Sequence, residues 1–332
     1  MPLLKGSKVK GYIEINEKVR FLKNVAIEAY DIGDTYYVYS NGKDTYGGHT
    51  ITEAFRTVAK AVDIAGEYDR IVVLPAHRPY VSDADPGQYA YLERDIPINI
   101  TKMGLKIIGL TTSPFLYGSP TIHAHNAAST YSHPDQNGIA GTIIDTLFNI
   151  DANQVEISNL CIQMQVAAPA FYIAKTHQVN RFHIHHCALT GYAPGNGTYG
   201  IRMGTATGGT GSPSMVAIED CLFTGWSAGA VELFAASGSV FRNNVVCVYD
   251  GAFGVEIKTT GLPWGLFVLD NRFIAGGTTA SGIVITNQYG TGMLLIDGNH
   301  FNGFNSTTLA YGTYAAASHG VNYYNGALVT GN

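Results

Sequence analysis

Two glutamates stand at corresponding positions of a repeated phrase and could act together in acid–base chemistry. The phrase reads Ala-Val-Glu-Leu at 230–233 and Gly-Val-Glu-Ile at 254–257, so it contains Glu232 and Glu256. If the two copies stack as neighbouring parallel strands, their backbones lie about 4.8 Å apart. Retaining glycosidases hold their two catalytic carboxyl groups at about 5–5.5 Å. This spacing makes the pair a candidate catalytic site.

Basic side chains flank the acid pair and offer a structural alternative. Arg202 occupies the same position in the preceding copy, and Lys258 lies two residues beyond Glu256 on the same face. Opposite charges on neighbouring strands stabilise a sheet, whereas like charges destabilise it. Because bases stand on both sides of the acids, we favour a salt-bridged ladder on an exposed face and assign no catalytic residue. If the protein is an enzyme, Glu232, Glu256 and Arg202 are its candidate catalytic residues.

A histidine-rich segment could bind a metal ion. It reads Phe-His-Ile-His-His-Cys at 182–187, and alternation along a strand places His183 and His185 on one face. His123 and His125 have the same spacing. A zinc site needs three or four ligands, so two histidines supply only part of a set. We therefore favour a polar outward face and predict no metal and no cofactor; His183 and His185 would be the ligands if a metal were bound.

These residues lie within repeats that predict a stacked coil of short strands. One phrase begins with an apolar residue and continues with mostly polar ones, and its copies start at Ile157, Ile184, Ile218, Phe241, Val268 and Ile296. A second phrase, small-apolar-variable-apolar, alternates with it at 170–173, 200–203, 230–233, 254–257, 282–285 and 320–323. Short strands with a period of 23 to 34 residues and turn residues between them are typical of a parallel β-helix.

In such a coil, equivalent residues of successive turns lie above one another. The fourth position of the first phrase is Asn244, Asn271 and Asn299 in three successive copies. Their amide side chains should hydrogen-bond in a row at one corner of the coil. Cys187 and Cys221 occupy the same position in the two preceding copies, so we expect them to continue the row as buried free thiols.

The sequence before the coil predicts a cap for its open N-terminal end. Apolar residues recur at helical spacing in "TITEAFRTVAKAVDIAG", which predicts a helix over 51–66 that ends at Gly66. The helix should cover unpaired strand edges at the mouth of the coil. Phe55, Val58 and Val62 should then face the first turns and be buried.

Three regions follow from this layout. Residues 1–50 should form an extended arm with short strands that belong to no turn of the coil, 51–66 the capping helix, and 67–332 the coil. Chain ends are poorly ordered unless something holds them, so we expect the arm to dock on neighbouring proteins. Its expected contacts are the apolar side chains of Met1, Leu3, Leu4, Tyr12 and Phe21.

Composition limits the classes of function. Charged residues make up 14% of the 332-residue chain, against about 25% in an average soluble domain, and the net charge is −5. The lack of a basic run argues against a nucleic-acid partner. No apolar run of about 18 residues is present, which predicts no membrane span. The N-terminal sequence has no apolar signal core, so we expect maturation in a cytoplasm.

The layout resembles the right-handed parallel β-helix proteins of the pectate-lyase-like superfamily. The resemblance is carried by "EAFRTVAKAVDIAG", by "DRIVVLPAHRPYV" with Pro75 and Tyr80, by "GLKIIG" and by the repeated phrases, over roughly residues 40–325. It implies an all-β, right-handed coil with an N-terminal capping helix, and trimers are common in such proteins. The segment "FHIHHCAL" has His185 where true pectate lyases carry an acid, and their Arg-x-Pro-x-x-Arg segment is absent. The resemblance therefore implies the fold and not lyase activity.

Two classes of function remain open from the sequence. We favour a structural virion protein of a tailed bacteriophage, assembled in the host cytoplasm, because no export signal is present. It would be a capsid decoration or head-surface protein docked through its arm. Its partners would be other virion proteins, such as the major capsid protein or a tail component, further copies in a homotrimer, and a host surface glycan. The alternative is a carbohydrate-active enzyme similar to tailspike depolymerases, either a glycoside hydrolase or a polysaccharide lyase.

Overall fold

The computed structural model shows a coil of parallel β-strands in which most of the described turns contribute one strand to each of three sheets. The structure describes residues 33–75, 90–92, 97–111, 120–124, 146–164, 167–174, 177–191, 197–204, 213–234, 237–249, 251–258, 264–286, 293–304, 317–319, 321–324 and 327–330. The predicted docking residues of the arm, from Met1 to Phe21, lie outside these ranges, as does Tyr80.

Sheet I has ten strands that stack in the order of the chain. They are Thr35–Val38, Arg70–Val73, Lys106–Gly109, Glu156–Ser158, His183–His185, Ala217–Glu219, Val240–Arg242, Trp264–Leu269, Met293–Asp297 and Ala317–His319. Sheet II has seven: Ile98–Ile100, Phe148–Ile150, Phe171–Ile173, Tyr199–Met203, Gly229–Phe234, Phe253–Lys258 and Ser281–Thr286.

Sheet III has ten strands, the last of which runs antiparallel to its neighbour. They are Ala90–Leu92, Thr121–Ala124, Cys161–Met164, Ala188–Gly191, Leu222–Thr224, Val245–Val248, Arg272–Ala275, His300–Asn302, Val321–Tyr324 and Ala327–Thr330. A small pair, Val179–Asn180 and Pro213–Ser214, lies outside the three sheets. The chain passes from sheet I to III, then to II, and returns to I. The predicted right-handed parallel β-helix is confirmed.

Alternating side chains build the core. Ile157, Ile184 and Ile218 are paired in register on sheet I, and each exposes at most 1% of its surface. Aromatic rings also stack along the axis, as Phe273 and Phe301 do with their centroids 4.9 Å apart. Neighbouring turns bury each other's apolar faces, so the long-range contacts that stabilise the coil are made between adjacent repeats.

The predicted asparagine row is confirmed at the corner between sheets I and III. Nδ2 of Asn244 donates to Oδ1 of Asn271 at 3.0 Å, and Nδ2 of Asn271 donates to Oδ1 of Asn299 at 2.9 Å. The backbone N–H of Cys221 donates to Oδ1 of Asn244 at 2.9 Å. Cys221 and Cys187 are buried, free cysteines that continue the row. All three asparagines are buried, and their amide groups find partners without water.

The same corner explains a second pattern in the repeats. The residue before each row position adopts left-handed backbone geometry, with φ between 53° and 68°, in Asn159, His186, Asp220, Asn243, Asp270 and Gly298. Asn, Asp and Gly tolerate this region better than other residues. The tight bend therefore accounts for the Asn, Asp and Gly that precede the row in five of these six turns.

The capping helix is present but shorter than predicted. A 3-10 turn spans Ile51–Glu53, and the α-helix spans Val58–Ile64, with Thr57 as its N-cap. The residues between them are extended because Phe55 pairs with Val38 of the first sheet I strand. Phe55 is nevertheless buried, as are Val58 and Val62 of the helix, which packs near the first strands. The burial predicted for the cap is therefore confirmed.

Two predicted assignments differ from the structure. Thr35–Val38, which the sequence predicts in an arm outside the coil, pairs with Arg70–Val73 as the first strand of sheet I. The last copy of the second phrase, 320–323, was expected on sheet II. Val321–Tyr324 instead pairs with sheet III, where Asn322 accepts from Asn299 and extends the asparagine row. The four-residue pattern of the second phrase fits strands of either sheet, and the hydrogen bond between Asn322 and Asn299 is made on sheet III.

In the described part of the chain, no helix has the length and hydropathy to cross a membrane.

Candidate functional site

The predicted acid pair lies on two neighbouring strands of sheet II. Glu232 is paired in register with Glu256 of the next strand and with Arg202 of the preceding one. Tyr172 precedes Arg202, and Val284 follows Glu256, in the same row. The register that the second phrase predicts for these residues is confirmed.

Three ion pairs join four charged side chains into one network. Nε of Arg202 donates to Oε1 of Glu232 at 2.8 Å. Nζ of Lys258 lies 2.9 Å from Oε2 of Glu232 and 2.9 Å from Oε2 of Glu256. We call these four residues the ion-pair row. Their formal charges alternate and cancel, so each acid has a base beside it.

Both carboxylates are buried, whereas the sequence predicted an exposed face. Glu232 exposes 2% of its surface and Glu256 exposes 7%. The side chains of Arg202 and Lys258 remain about one third exposed, at 32% and 28%. The long basic side chains therefore cover the acids and keep their own charged ends partly in water. Burial of the acids is tolerated because every ion pair is formed.

Strict alternation of buried and exposed residues fails on the strands that carry the acids. In Phe253–Lys258, four consecutive buried residues lie between the partly exposed ends. Tyr199, Gly229 and Phe253 are paired in register, and a Cβ on Gly229 would lie 2.1 Å from the Phe253 ring. The ring thus fills the space at Gly229, three residues before Glu232. Sequence periodicity places Glu232 on the outward side, but it does not show that Arg202 and Lys258 of the neighbouring strands cover the carboxylate there.

The electrostatics of Glu232 do not suit a general acid. Burial acts to raise the pKa of its carboxyl, but hydrogen bonds from Lys258 and Arg202 outweigh burial and hold the pKa below its ordinary 4.5. A general acid needs a pKa raised toward the working pH. The ionised carboxylate of Glu232 therefore acts as the centre of the ion-pair row.

A second cluster of titratable groups lies on the outward side of sheet I. The strand His183–His185 turns Ile184 into the core and presents its two histidines outward. His183 is in register with Glu156 of the preceding strand, and His185 with Glu219 of the following one. Two carboxylates thus bracket two imidazoles over three successive turns. We call these four residues the histidine–glutamate face.

The contacts within this face run diagonally. Nε2 of His183 lies 3.3 Å from Oε2 of Glu219, close to hydrogen-bond distance but not in hydrogen-bond geometry. Nε2 of His185 lies 3.7 Å from Oε1 of Glu156. The two imidazole rings are 4.4 Å apart between centroids. Each imidazole therefore has one carboxylate partner and lies against the other imidazole.

The pKa shifts on this face favour a neutral imidazole beside an ionised acid. Burial lowers the pKa of His183 below its ordinary 6.5, and His185 lowers it further, against the opposing effect of Glu219. The neighbouring imidazole of His185 is the main cause that lowers the pKa of Glu156. A neutral imidazole can accept a proton near neutral pH.

The histidines do not form part of a larger metal-binding set in the described residues. There, no three His, Cys, Asp or Glu side chains are arranged to hold an ion. His183 and His185 do share one face, as their spacing predicts, but each ring lies against a carboxylate. The side chain of His123 and the whole of His125 lie outside the described residues.

Sequence reasoning missed the partners of the histidines. Glu156 was not singled out, nor was Arg242, whose Nε donates to Oε1 of Glu219 at 3.0 Å. Lys106 was missed as well; its Nζ lies 3.9 Å from Oε2 of Glu156. A signal was present, because these residues directly precede or follow the first apolar position of the repeated phrase. An alignment of the repeats that includes the residues on both sides of this apolar position places them next to the histidines.

Comparisons with known proteins identify the fold. No protein-family model matches the sequence, and a search of curated proteins gives no significant match. Among solved structures, a GH136 lacto-N-biosidase from Eubacterium ramulus matches with a TM-score of 0.59 at 12% identity, over 93% of this chain and 58% of that chain. Pectin methylesterase PemA from Erwinia chrysanthemi matches with a TM-score of 0.51 at 15% identity, over 89% and 90% of the two chains.

A rhamnogalacturonan lyase also matches, with a TM-score of 0.50 at 13% identity, over 87% of this chain and 84% of that chain. This chain spans 58% of the length of the lacto-N-biosidase that it matches. At these identities the likeness concerns the backbone, and unrelated chemistries share one fold. The chain therefore has the right-handed parallel β-helix fold of the pectate-lyase-like proteins.

Proposed function

We propose that this protein cleaves a polysaccharide by acid–base chemistry at the histidine–glutamate face. The observation that carries the proposal is the pairing of two adjacent imidazoles with two carboxylates on one outward sheet surface. Sheet surfaces of this kind are long and open, which suits a chain-like substrate better than a small molecule enclosed in a pocket. The structural neighbours named above, a glycosidase, a lyase and an esterase, support a carbohydrate substrate by analogy of fold.

The roles follow from the environment of each group. His183 is the proton acceptor, because its lowered pKa keeps the imidazole neutral. Glu219 lies 3.3 Å from Nε2 of His183 and is itself held by Arg242. His185, beside the ionised Glu156, would donate the proton that the leaving group needs. Glu232 and Glu256 have no role in this proposal.

We expect His183→Gln to lower cleavage about 100-fold, because loss of a general base removes at least this factor. The assay incubates the protein with pectic and bacterial surface polysaccharides. It measures new reducing ends, and the ultraviolet absorbance of unsaturated ends, which a lyase forms and a hydrolase does not. In the wild type, kcat/KM should rise with pH through a pKa below 6.5, since the neutral imidazole is the active form.

His300→Gln is the matched control for this experiment. His300 also faces outward, but it lies on sheet III, where its ring stacks on Tyr323 at 4.6 Å between centroids. This variant should retain wild-type activity. Equal losses in His183→Gln and His300→Gln, or no cleavage of any polysaccharide by the wild type, would contradict the proposal.

A structural role in a tailed-phage virion is the second candidate. It is favoured by the complete ion pairing of Glu232 and Glu256, the state expected if the acid pair serves stability. In this proposal the protein, as a trimer, decorates the capsid and docks through its N-terminal arm. Removal of residues 1–35 should then abolish binding to undecorated particles, measured by co-sedimentation. Binding of the shortened chain equal to that of the full chain would exclude docking through the arm.

A further inference from the structure

A third imidazole contacts the histidine–glutamate face. His186 directly follows the strand His183–His185, and its Nδ1 lies 2.9 Å from Nδ1 of His185. The two rings meet edge to face, with their planes at 85° and their centroids 5.2 Å apart. The roles set out above for proton transfer do not include His186, although it contacts the proton donor directly.

A bend at the end of the strand brings these two rings together. Neighbouring residues of a straight strand point to opposite sides, so alternation alone would turn His186 away from His185. The backbone of His186 is instead left-handed, with φ 53°, and its N–H donates to the carbonyl of Glu219 at 3.2 Å. His186 is exposed, and His185 is partly exposed. Both imidazoles therefore lie at the outer surface of the coil.

The bend by itself does not account for a histidine at this position. Of the six described turns that make the bend, five have Asn, Asp or Gly there, and His186 is the sixth. Asn159 and Asp220 make the same bend in the turns on either side. Histidine is compatible with left-handed geometry, but the backbone does not need an imidazole. The contact with His185 is what distinguishes this turn from its neighbours.

The contact between the Nδ1 atoms fixes which nitrogen of His185 is available. A neutral imidazole has one N–H donor and one acceptor nitrogen. At 2.9 Å one Nδ1 donates and the other accepts, so the two rings share one hydrogen. The bond at one ring nitrogen sets the role of the other nitrogen. Nε2 of His185, which lies 3.7 Å from Oε1 of Glu156, is therefore the atom left for proton transfer.

We propose that His186 is a positioning residue for His185, and this inference rests on the proposed function. Nδ1 of His186 accepts the Nδ1 hydrogen of doubly protonated His185 and holds that ring in place. The Nε2 proton passes to the leaving-group oxygen as the bond between this oxygen and carbon breaks and its electron pair moves to the oxygen. His185 is then neutral, and its Nδ1 hydrogen remains on the bond to His186.

Three variants test the role of His186 in cleavage. His186→Gly removes the imidazole and keeps the left-handed backbone, as Gly298 does in a later turn. We expect its kcat to fall about tenfold at unchanged KM, the effect of losing one hydrogen bond to a charged group. His186→Asn should restore most of the lost rate, because its amide oxygen is bonded to Cγ as Nδ1 is and can accept in its place.

Asp270→Gly is the matched control for the backbone change. Asp270 is exposed and occupies the same left-handed position three turns further along the coil. This variant should keep the wild-type kcat. Wild-type kcat in His186→Gly would overturn the proposal, and so would equal losses in His186→Gly and His186→Asn, since these would show that an acceptor at this position is not used.

Nitrogen-15 magnetic resonance of the histidine rings tests the shared hydrogen without a substrate. At alkaline pH, where both rings are neutral, one of the two Nδ1 atoms should be protonated and the other should not. The His185 signals should shift in His186→Gly and stay unchanged in Asp270→Gly. Rings that both carry their hydrogen on Nε2 would overturn the proposal. If the wild type cleaves no polysaccharide, the proposed function fails, and these signals alone decide whether His186 fixes the protonation of His185.

Discussion

Replacing Asn271 by alanine should lower the free energy of unfolding by about 3–4 kcal/mol. Asn271 is fully buried and stands in the middle of the asparagine row. Its Oδ1 accepts from the backbone N–H and from Nδ2 of Asn244, and its Nδ2 donates to Asn299 and to the carbonyl of Phe241. Alanine leaves the N–H of Asn244 buried without this partner and opens a cavity beside it. Each unsatisfied buried group costs about 1–3 kcal/mol.

Urea unfolding followed by circular dichroism measures this change. Asn302→Ala is the matched control, since Asn302 lies on the next sheet III strand and is partly exposed. It should alter the free energy of unfolding by no more than about 0.5 kcal/mol. If both alanine variants unfold at the same urea concentration, the row does not contribute to stability as its geometry indicates.

Glu232→Ala should destabilise the protein by about 3 kcal/mol, the lower end of the range for breaking a buried ion pair. The lower end applies because Arg202 and Lys258 are partly exposed and water can compensate part of the loss. Asp63→Ala is the control; it breaks the exposed pair with Lys60 and should cost about 0–1 kcal/mol. Thermal and urea unfolding at neutral pH compare the two variants.

The effect of Glu232 should also depend on pH. Its pKa is lower in the folded than in the unfolded chain, so its contribution is present above the ordinary pKa of 4.5 and lost as pH falls through the folded value. The difference between wild type and Glu232→Ala should therefore shrink below pH 4.5. A difference that stays constant to strongly acidic pH would show that the ion pairs do not account for the destabilisation.

Local sequence patterns were sufficient to predict the coil, because each repeat packs mainly against its neighbours. The apolar positions of the first phrase predicted the register of sheet I, and Asn244, Asn271 and Asn299 marked one corner of the coil. The capping region was also recognisable from its apolar spacing, although its helix begins only at Val58. Extended residues before it were harder to predict, because the pairing of Phe55 with Val38 overrides helical propensity.

The arrangement of the charged side chains and the histidines depends on contacts between neighbouring turns, which the sequence of a single repeat does not show. The sequence placed Glu232 beside Arg202 and Lys258, but it could not show that the neighbouring turns would bury the carboxylate. It also showed that His183 and His185 share a face, while Glu156 and Glu219 join them only once three turns are stacked.

The sequence by itself therefore determined the repeat, the strand register and the stacked corner, since these follow from which side chains alternate and which amides recur. Only the tertiary structure decided which charges are buried and which imidazole stays neutral. The physical reason is that burial and pKa depend on the three-dimensional surroundings of a group. In a coil, those surroundings come from residues about one turn away, such as Arg202 and Lys258 around Glu232.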